Sequence, residues 1–449
     1  YIKADIRILA RKRGDLMKRT VMQKLIAWKQ SPDRKPLLIQ GARQVGKTWL
    51  MRTFGKENFG NVIYLSMDQN PRLRMVFGQG FDINRIVEAL QIESQSQIDE
   101  NTLLIFDEIQ EIPLAIQSLK YFQEKRPELP ILAAGSLLGV ALHSGISFPV
   151  GKIQLLDLYP LSFLEFLDAT GNEDLAGLIR SADFAMIKVF RDKYISLLKQ
   201  YFFLGGMPEI VQDFVKNRDY DRARKAQKDL LRLYEYDFSK HVSGVFSERL
   251  RLVYGSIPAQ LGQENKKFIF GHLRSGARSK EFEDAIQWLA DCGLAVRVPR
   301  VRKPGLPLSG YADPAAFKLF LNDVGLLSAM CDLDARTLLE GSRVFEEFKG
   351  CLTEQFVLTQ FVSELNLKPF YFAEERSSME IDFLVQLEGN VIPVEVKAAE
   401  NLRARSLKVY SEKYQPAYAI RTSLSDYRAE DWLINLPLYA ISCLKSVIR

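Results

Sequence analysis

Eight residues near the front of the chain have the types and spacing that hold a phosphate: Gly41, Ala42, Arg43, Gln44, Val45, Gly46, Lys47 and Thr48. The two glycines let backbone N–H groups converge on phosphate oxygens. Lys47 can reach β- and γ-phosphates, and the Thr48 hydroxyl can ligate magnesium. Asp107 and Glu108 follow in "TLLIFDEIQ". Asp107 is placed to hold the hydration shell of Mg²⁺, and Glu108 to orient and deprotonate an attacking water. Together these residues point to hydrolysis of a nucleoside triphosphate. No Asn-Lys-x-Asp motif that would select guanine is present, so ATP with Mg²⁺ is expected.

A second constellation sits near the end of the chain. "VIPVEVKAAE" puts Glu395 and Lys397 into an apolar strand, two residues apart and so on one face. Buried charges are costly unless they are paired or hold a metal. Asp382 lies on the preceding strand, and the Asp, Glu-x-Lys order is the PD-(D/E)XK pattern. On one reading Asp382 and Glu395 ligate a divalent metal near a scissile phosphate, with Glu354 completing the shell. Lys397 then orients water or stabilises developing charge. On the other reading Glu395 and Lys397 simply pair with each other.

The elements that must position the first set read clearly. "PLLIQ" is an apolar strand, the glycine loop follows, and a helix begins at the loop's end, offering its positive dipole end to phosphate. "NVIYLSMD" is an extra strand before the one ending in Asp107 and Glu108. "PILAAGS" is an apolar strand ending in Ser136, either a γ-phosphate sensor or a plain strand end. A fifth strand follows Lys152, which is either a cation reaching a neighbouring subunit's nucleotide or a solvated lysine. The fold class expected is α/β, with a parallel sheet.

Residues 169–240 read as helical, with "YFFLGGMPEI" making a turn. Beyond them, three helix-sized units, a basic strand and a Pro/Gly-rich turn stand in winged-helix order. Between Lys266 and Lys303 nine Lys or Arg face four Asp or Glu, which holds most of the net charge of +6. Lys280 on the expected recognition helix, with Arg300, Arg302 and Lys303 on the wing, could neutralise DNA phosphates or serve a protein contact.

Composition agrees with a globular protein: 47% of the 449 residues are hydrophobic and 26% are charged. Four scattered cysteines suit a reducing compartment and argue against a disulfide scaffold. Three histidines far apart argue against a multi-histidine metal centre. The longest apolar stretch is broken by Gly, Ser and His, so no membrane association and a cytoplasmic location are expected.

"GARQVGKT", "LLIFDEIQ", "AAGSLLG", "LYPLSFLEFL" and "YFFLGGMPEIV", in this order, resemble a prokaryotic family of AAA-type ATPases. The resemblance implies a helical segment, a winged-helix region and a C-terminal domain like restriction endonucleases behind the ATPase. The expected divisions are an extension at 1–16, a P-loop ATPase domain at 17–168, a helical lid or connector at 169–240, a winged helix at 241–340 and an α/β nuclease-like domain at 341–449. Two functions then compete. One is an ATP-driven motor acting on duplex or branched DNA, as a homo-oligomer that a hexameric ring would satisfy. The other is a nucleotide-dependent switch in signalling or defence, with slow turnover and a protein partner.

Overall fold

A computed structural model describes residues 17–68, 70–135, 148–242, 244–263, 266–340, 346–374, 379–398 and 404–448. Its first sheet holds five strands: β1 (Leu37–Gln40), β2 (Asn61–Ser66), β3 (Thr102–Asp107), β4 (Ile131–Gly135) and β5 (Gln154–Asp157). Their order is β2-β3-β4-β1-β5, and every neighbouring pair is parallel. A parallel sheet needs both faces covered, so its strands are apolar on both sides. Here Ile39, Leu103 and Ile105 enter one core, while Leu38, Leu104 and Phe106 enter another on the opposite face. Helices Lys47–Asn58 and Pro113–Lys125 cover opposite faces, packing Leu50 and Phe54 into the first core and Leu119 and Phe122 into the second. Because β4 alone separates β1 from β3, the loop after β1 and the acids after β3 open on one crevice at the strands' carboxyl ends.

Residues 173–241 are helical, in helices Glu173–Arg180, Phe184–Val189, Arg191–Leu204, Pro208–Asn217 and Tyr220–His241. The turn in "YFFLGGMPEI" is where distant segments meet. Gly206 N donates to Asp323 Oδ2 at 2.6 Å. A Cβ on Gly206 would stand 2.1 Å from the Leu161 carbonyl oxygen, so no larger residue fits that approach.

Helices Gly244–Leu261 and Ser279–Asp291 precede an antiparallel hairpin of β6 (Ala295–Val301) and β7 (Ala312–Leu321). The expected wing is not free-standing. β6 also pairs in parallel with β8 (Phe370–Ala373), which joins the hairpin to β9 (Glu380–Leu387), β10 (Asn390–Val396), β11 (Ile420–Ser423), β12 (Arg428–Ala429) and β13 (Ile434–Pro437). The result is one eight-stranded sheet, ordered β12-β13-β11-β10-β9-β8-β6-β7. The reason lies in β7, whose residues Ala316–Leu321 are all buried, too apolar a run for a solvated wing. The expected division at 340/341 therefore falls between strands of one sheet.

Candidate functional site

The glycine loop leaves β1 and runs into helix Lys47–Asn58. Gly41 has a φ of +150°, and a Cβ there would lie 2.2 Å from the Leu158 carbonyl oxygen. Only glycine permits that backbone path. The helix starts at Gly46 without a side-chain cap, which leaves its first N–H groups for an anion. Lys47 is buried, and its Nζ donates to the carbonyls of Gly41 and Ala42, at 2.8 Å each. Burial pushes its ammonium down to about 8, against partial support from Glu108 and Asp107.

Asp107 ends β3 and is buried. Its Oδ2 accepts from the Thr48 hydroxyl at 2.6 Å and from the Tyr64 hydroxyl at 2.8 Å. Tyr64 stands on β2, and Arg52 lies 3.7 Å from its ring centroid. Burial and Asp107 push the Tyr64 hydroxyl up to about 12, so it stays a donor. Glu108 adopts a left-handed φ of +51° and begins the turn Ile109–Glu111. Its Oε2 accepts from Gln110 Nε2 at 2.6 Å.

Groups from elsewhere in the chain grip the loop. Arg19 is buried and donates to the Val45 carbonyl at 3.0 Å, the Tyr159 carbonyl at 2.7 Å and Glu165 Oε1 at 3.2 Å. Glu165 also closes a capping box with Ser162 at the start of helix Phe163–Ala169. Arg43 donates to both oxygens of Asp237, at 2.8 and 3.0 Å, and the Tyr234 hydroxyl donates to the Arg43 carbonyl at 2.9 Å. Burial opposes the Arg43 charge, and Asp237 and Glu108 more than restore it. Gly293 packs so closely that a Cβ there would stand 3.0 Å from Ala42 N.

Sequence reading did not single out Arg19, Tyr64, Gln110 or Asp237. Gln110 was within reach, since it follows Glu108 by two in a strand-ending turn. Asp237 and Arg19 carry no local signal, because their partners lie 194 and 26 or more positions away.

The remaining expected residues fall as follows. Ser136 lies outside the described residues. Lys152 pairs with Glu124 at 3.1 Å. Arg300 forms a largely buried pair with Asp313 at 2.6 Å, and Arg302 reaches the same carboxylate at 3.3 Å. The two guanidiniums, helped by the Ala315 amide, hold Asp313 at about 2 despite its burial. Arg300 is thus a strut of the hairpin rather than an open phosphate contact. Lys280 and Lys303 are exposed.

The C-terminal residues expected to hold a metal, Glu354, Asp382 and Glu395, have the following partners. Glu354, on helix Glu346–Ser363, forms an ion pair with Lys266 and stands 3.7 Å from Lys318 Nζ. Lys318, buried on β7, binds Glu380 at 2.6 Å. Burial disfavours both the Glu354 and the Lys318 charges, yet each is held by the other and by its neighbours. Asp382 accepts from Val396 N at 2.7 Å, and burial and the Glu354 charge raise its carboxyl. Glu395 Oε1 pairs with Lys397 at 2.6 Å, and its Oε2 accepts from Leu407 N at 3.3 Å. Among the described residues no group of three or more His, Cys, Asp or Glu is placed to hold a metal ion. Glu354 is thus paired with Lys266 and Lys318 and Glu395 with Lys397, while Asp382 is pushed toward its protonated form and held by a backbone amide. Among the same residues no helix is long and apolar enough to cross a membrane.

Comparison with known proteins matches three segments. Residues 33–167 match the model of an AAA domain. Residues 195–337 and 349–440 match two domains of unknown function, DUF8612 and DUF4143. No curated protein matches the chain. Among solved structures, the chain is similar to the Walker-type ATPase PABY2304 of Pyrococcus abyssi, at 15% identity and a TM-score of 0.46, over 73% of this chain and 99% of that one. It is also similar to the Orc1 protein of Aeropyrum pernix, solved in complex with DNA, at 12% identity and a TM-score of 0.25, over 70% and 90% of the two chains. A third similarity is to Cdc6p of Pyrobaculum aerophilum, at 11% identity and a TM-score of 0.25, over 71% and 93%. The AAA match spans the sheet that carries Lys47, Thr48, Asp107 and Glu108, so these residues stand within the segment that matches an AAA domain.

Proposed function

We propose that this chain binds ATP with Mg²⁺ in the crevice between β1 and β3 and hydrolyses it. The observation that carries the reading is the 2.6 Å contact between Thr48 Oγ1 and Asp107 Oδ2, beside an uncapped helix start and a buried lysine. The donor set fits the metal: Thr48 and Asp107 would hold Mg²⁺ directly or through its waters. The ion would supply charge neutralisation on the phosphates. Lys47 would leave the Gly41 and Ala42 carbonyls for phosphate oxygens. Loop N–H groups and the helix start would bind the remaining charge. Glu108 would take the proton of the attacking water.

Equilibrium titration with a fluorescent ATP analogue, with and without Mg²⁺, tests this. Binding should need Mg²⁺ for full affinity and be lost in Lys47→Ala. Undiminished binding by Lys47→Ala would overturn the reading.

The use made of the energy divides into two readings. Action on DNA, by an oligomer, is supported by the exposed cations Arg278, Lys280, Arg302 and Lys303 on the middle segment. Reversing Arg278, Lys280 and Lys303 should then weaken DNA binding and flatten its salt dependence. The switch reading is favoured by a different observation: the phosphate loop is held by Asp237 and Tyr234 of helix Tyr220–His241 and packed by Gly293, just before β6. Nucleotide that moves the loop must then disturb that region. In either case the C-terminal sheet is read as a binding module, its carboxylates Glu354 and Glu395 held by Lys266, Lys318 and Lys397.

A further inference from the structure

We infer that Gln110 positions the attacking water together with Glu108, a role that rests on the reading of Glu108 as general base. Three observations carry it. The turn Ile109–Glu111 is fixed in the fold: Glu111 N donates to the Glu108 carbonyl at 3.0 Å, and Ile112 N to the Ile109 carbonyl at 3.1 Å. Ile109 itself is fully buried in the second core. The turn therefore holds Glu108 and Gln110 side by side, and the left-handed backbone at Glu108 persists because the turn over-determines it.

Within that turn the Gln110 amide donates to Glu108 Oε2 at 2.6 Å. The other half of the same amide is the telling part. Gln110 Oε1 is buried and meets no donor among the described residues. A buried acceptor without a donor is costly and uncommon in a native fold. It belongs to the same side chain whose amide N–H holds the carboxylate that would deprotonate water. Water is the donor that a hydrolytic site supplies.

The two side chains divide the work. Water gives one O–H to Gln110 Oε1 and the other to Glu108, which turns an oxygen lone pair toward the γ-phosphorus. A bond forms from the water oxygen to phosphorus, and its proton goes to Glu108. The bond from phosphorus to the bridging oxygen breaks, and that electron pair leaves with ADP. Gln110 exchanges no proton. It fixes the carboxylate by its N–H and the water by its carbonyl, so its contribution is orientation.

The test is steady-state ATP hydrolysis by the full chain, comparing wild type, Gln110→Met, Gln110→Ala and Glu108→Gln. Gln110→Met keeps the length and removes both polar atoms, so it guards against loss of fold. The expected result is a fall in kcat of roughly 100-fold with KM for ATP unchanged. ATP affinity and melting temperature should stay near wild type, which a merely structural glutamine would not allow. Wild-type kcat in Gln110→Met, or a raised KM and lowered melting temperature at unchanged kcat, would overturn the assignment while Glu108→Gln remained inactive. Full turnover by Glu108→Gln would instead remove the reading of Glu108 and this inference with it.

Discussion

Arg43 of the phosphate loop and Asp237 of helix Tyr220–His241 meet at 2.8 Å across 194 positions of sequence. The pair ties the nucleotide crevice to the helical middle of the chain. A phosphate entering the loop offers Arg43 a second anion, and the two anions compete for one guanidinium.

The first expectation follows from that competition. ATP binding should raise backbone hydrogen exchange in helix Tyr220–His241, most around Asp237. In Asp237→Asn this nucleotide dependence should vanish. The cost to global stability should be below about 1 kcal/mol, because Arg43 is about half exposed and its pair is screened. Exchange in that helix that ignores ATP in the wild type would show that the clamp does not transmit occupancy.

Lys47 makes the second. Its ammonium sits at about 8 in the free loop, below its ordinary range, because it is buried. Phosphate binds the charged form. Affinity is therefore fully supported below pH 8 and falls as pH rises through 8, by at most about tenfold per unit. Titration of an ATP analogue from pH 7 to 9.5 measures it. Lys47→Arg should bind with a flat profile, since arginine stays charged. A flat wild-type profile would mean that Lys47 keeps its proton regardless of burial.

A third concerns the lysines among the C-terminal carboxylates. Lys318 is buried between Glu354 and Glu380. Lys318→Met leaves those carboxylates uncompensated and should destabilise the chain by about 3–5 kcal/mol in chemical denaturation. Chelating divalent cations should leave wild-type stability unchanged when no nucleotide is present. Strong stabilisation by Mg²⁺ alone, abolished by Asp382→Ala, would restore the metal reading of this region.

The front sheet was legible because its signals are local. Gly41, Gly46, Lys47 and Thr48 sit in one loop, and Asp107 ends a strand whose apolar run announces burial. The rear site was harder for a physical reason. Glu354, Asp382, Glu395 and Lys397 match a short pattern, but the pattern is silent on what neutralises them. Lys266 and Lys318 come from segments 88 and 36 positions before Glu354, one of them read as part of a basic segment for DNA contact. The β6–β7 hairpin shows the same effect. "LAVRVPRVRKPG" looks exposed by its charges, yet Arg297 pairs with Glu283 and Arg300 with Asp313, and β6 pairs with the distant β8, which brings the hairpin into the sheet.

The central claim is that Glu108 performs base chemistry on water in a Mg²⁺–ATP site. Phosphate release from saturating ATP and Mg²⁺ by the full chain, wild type beside Glu108→Gln, tests it most directly. The wild type should turn over, and Glu108→Gln should be slower by about 100- to 10,000-fold, with ATP affinity within about twofold. Equal rates for the two proteins, or no release by the wild type despite saturating nucleotide, would contradict it.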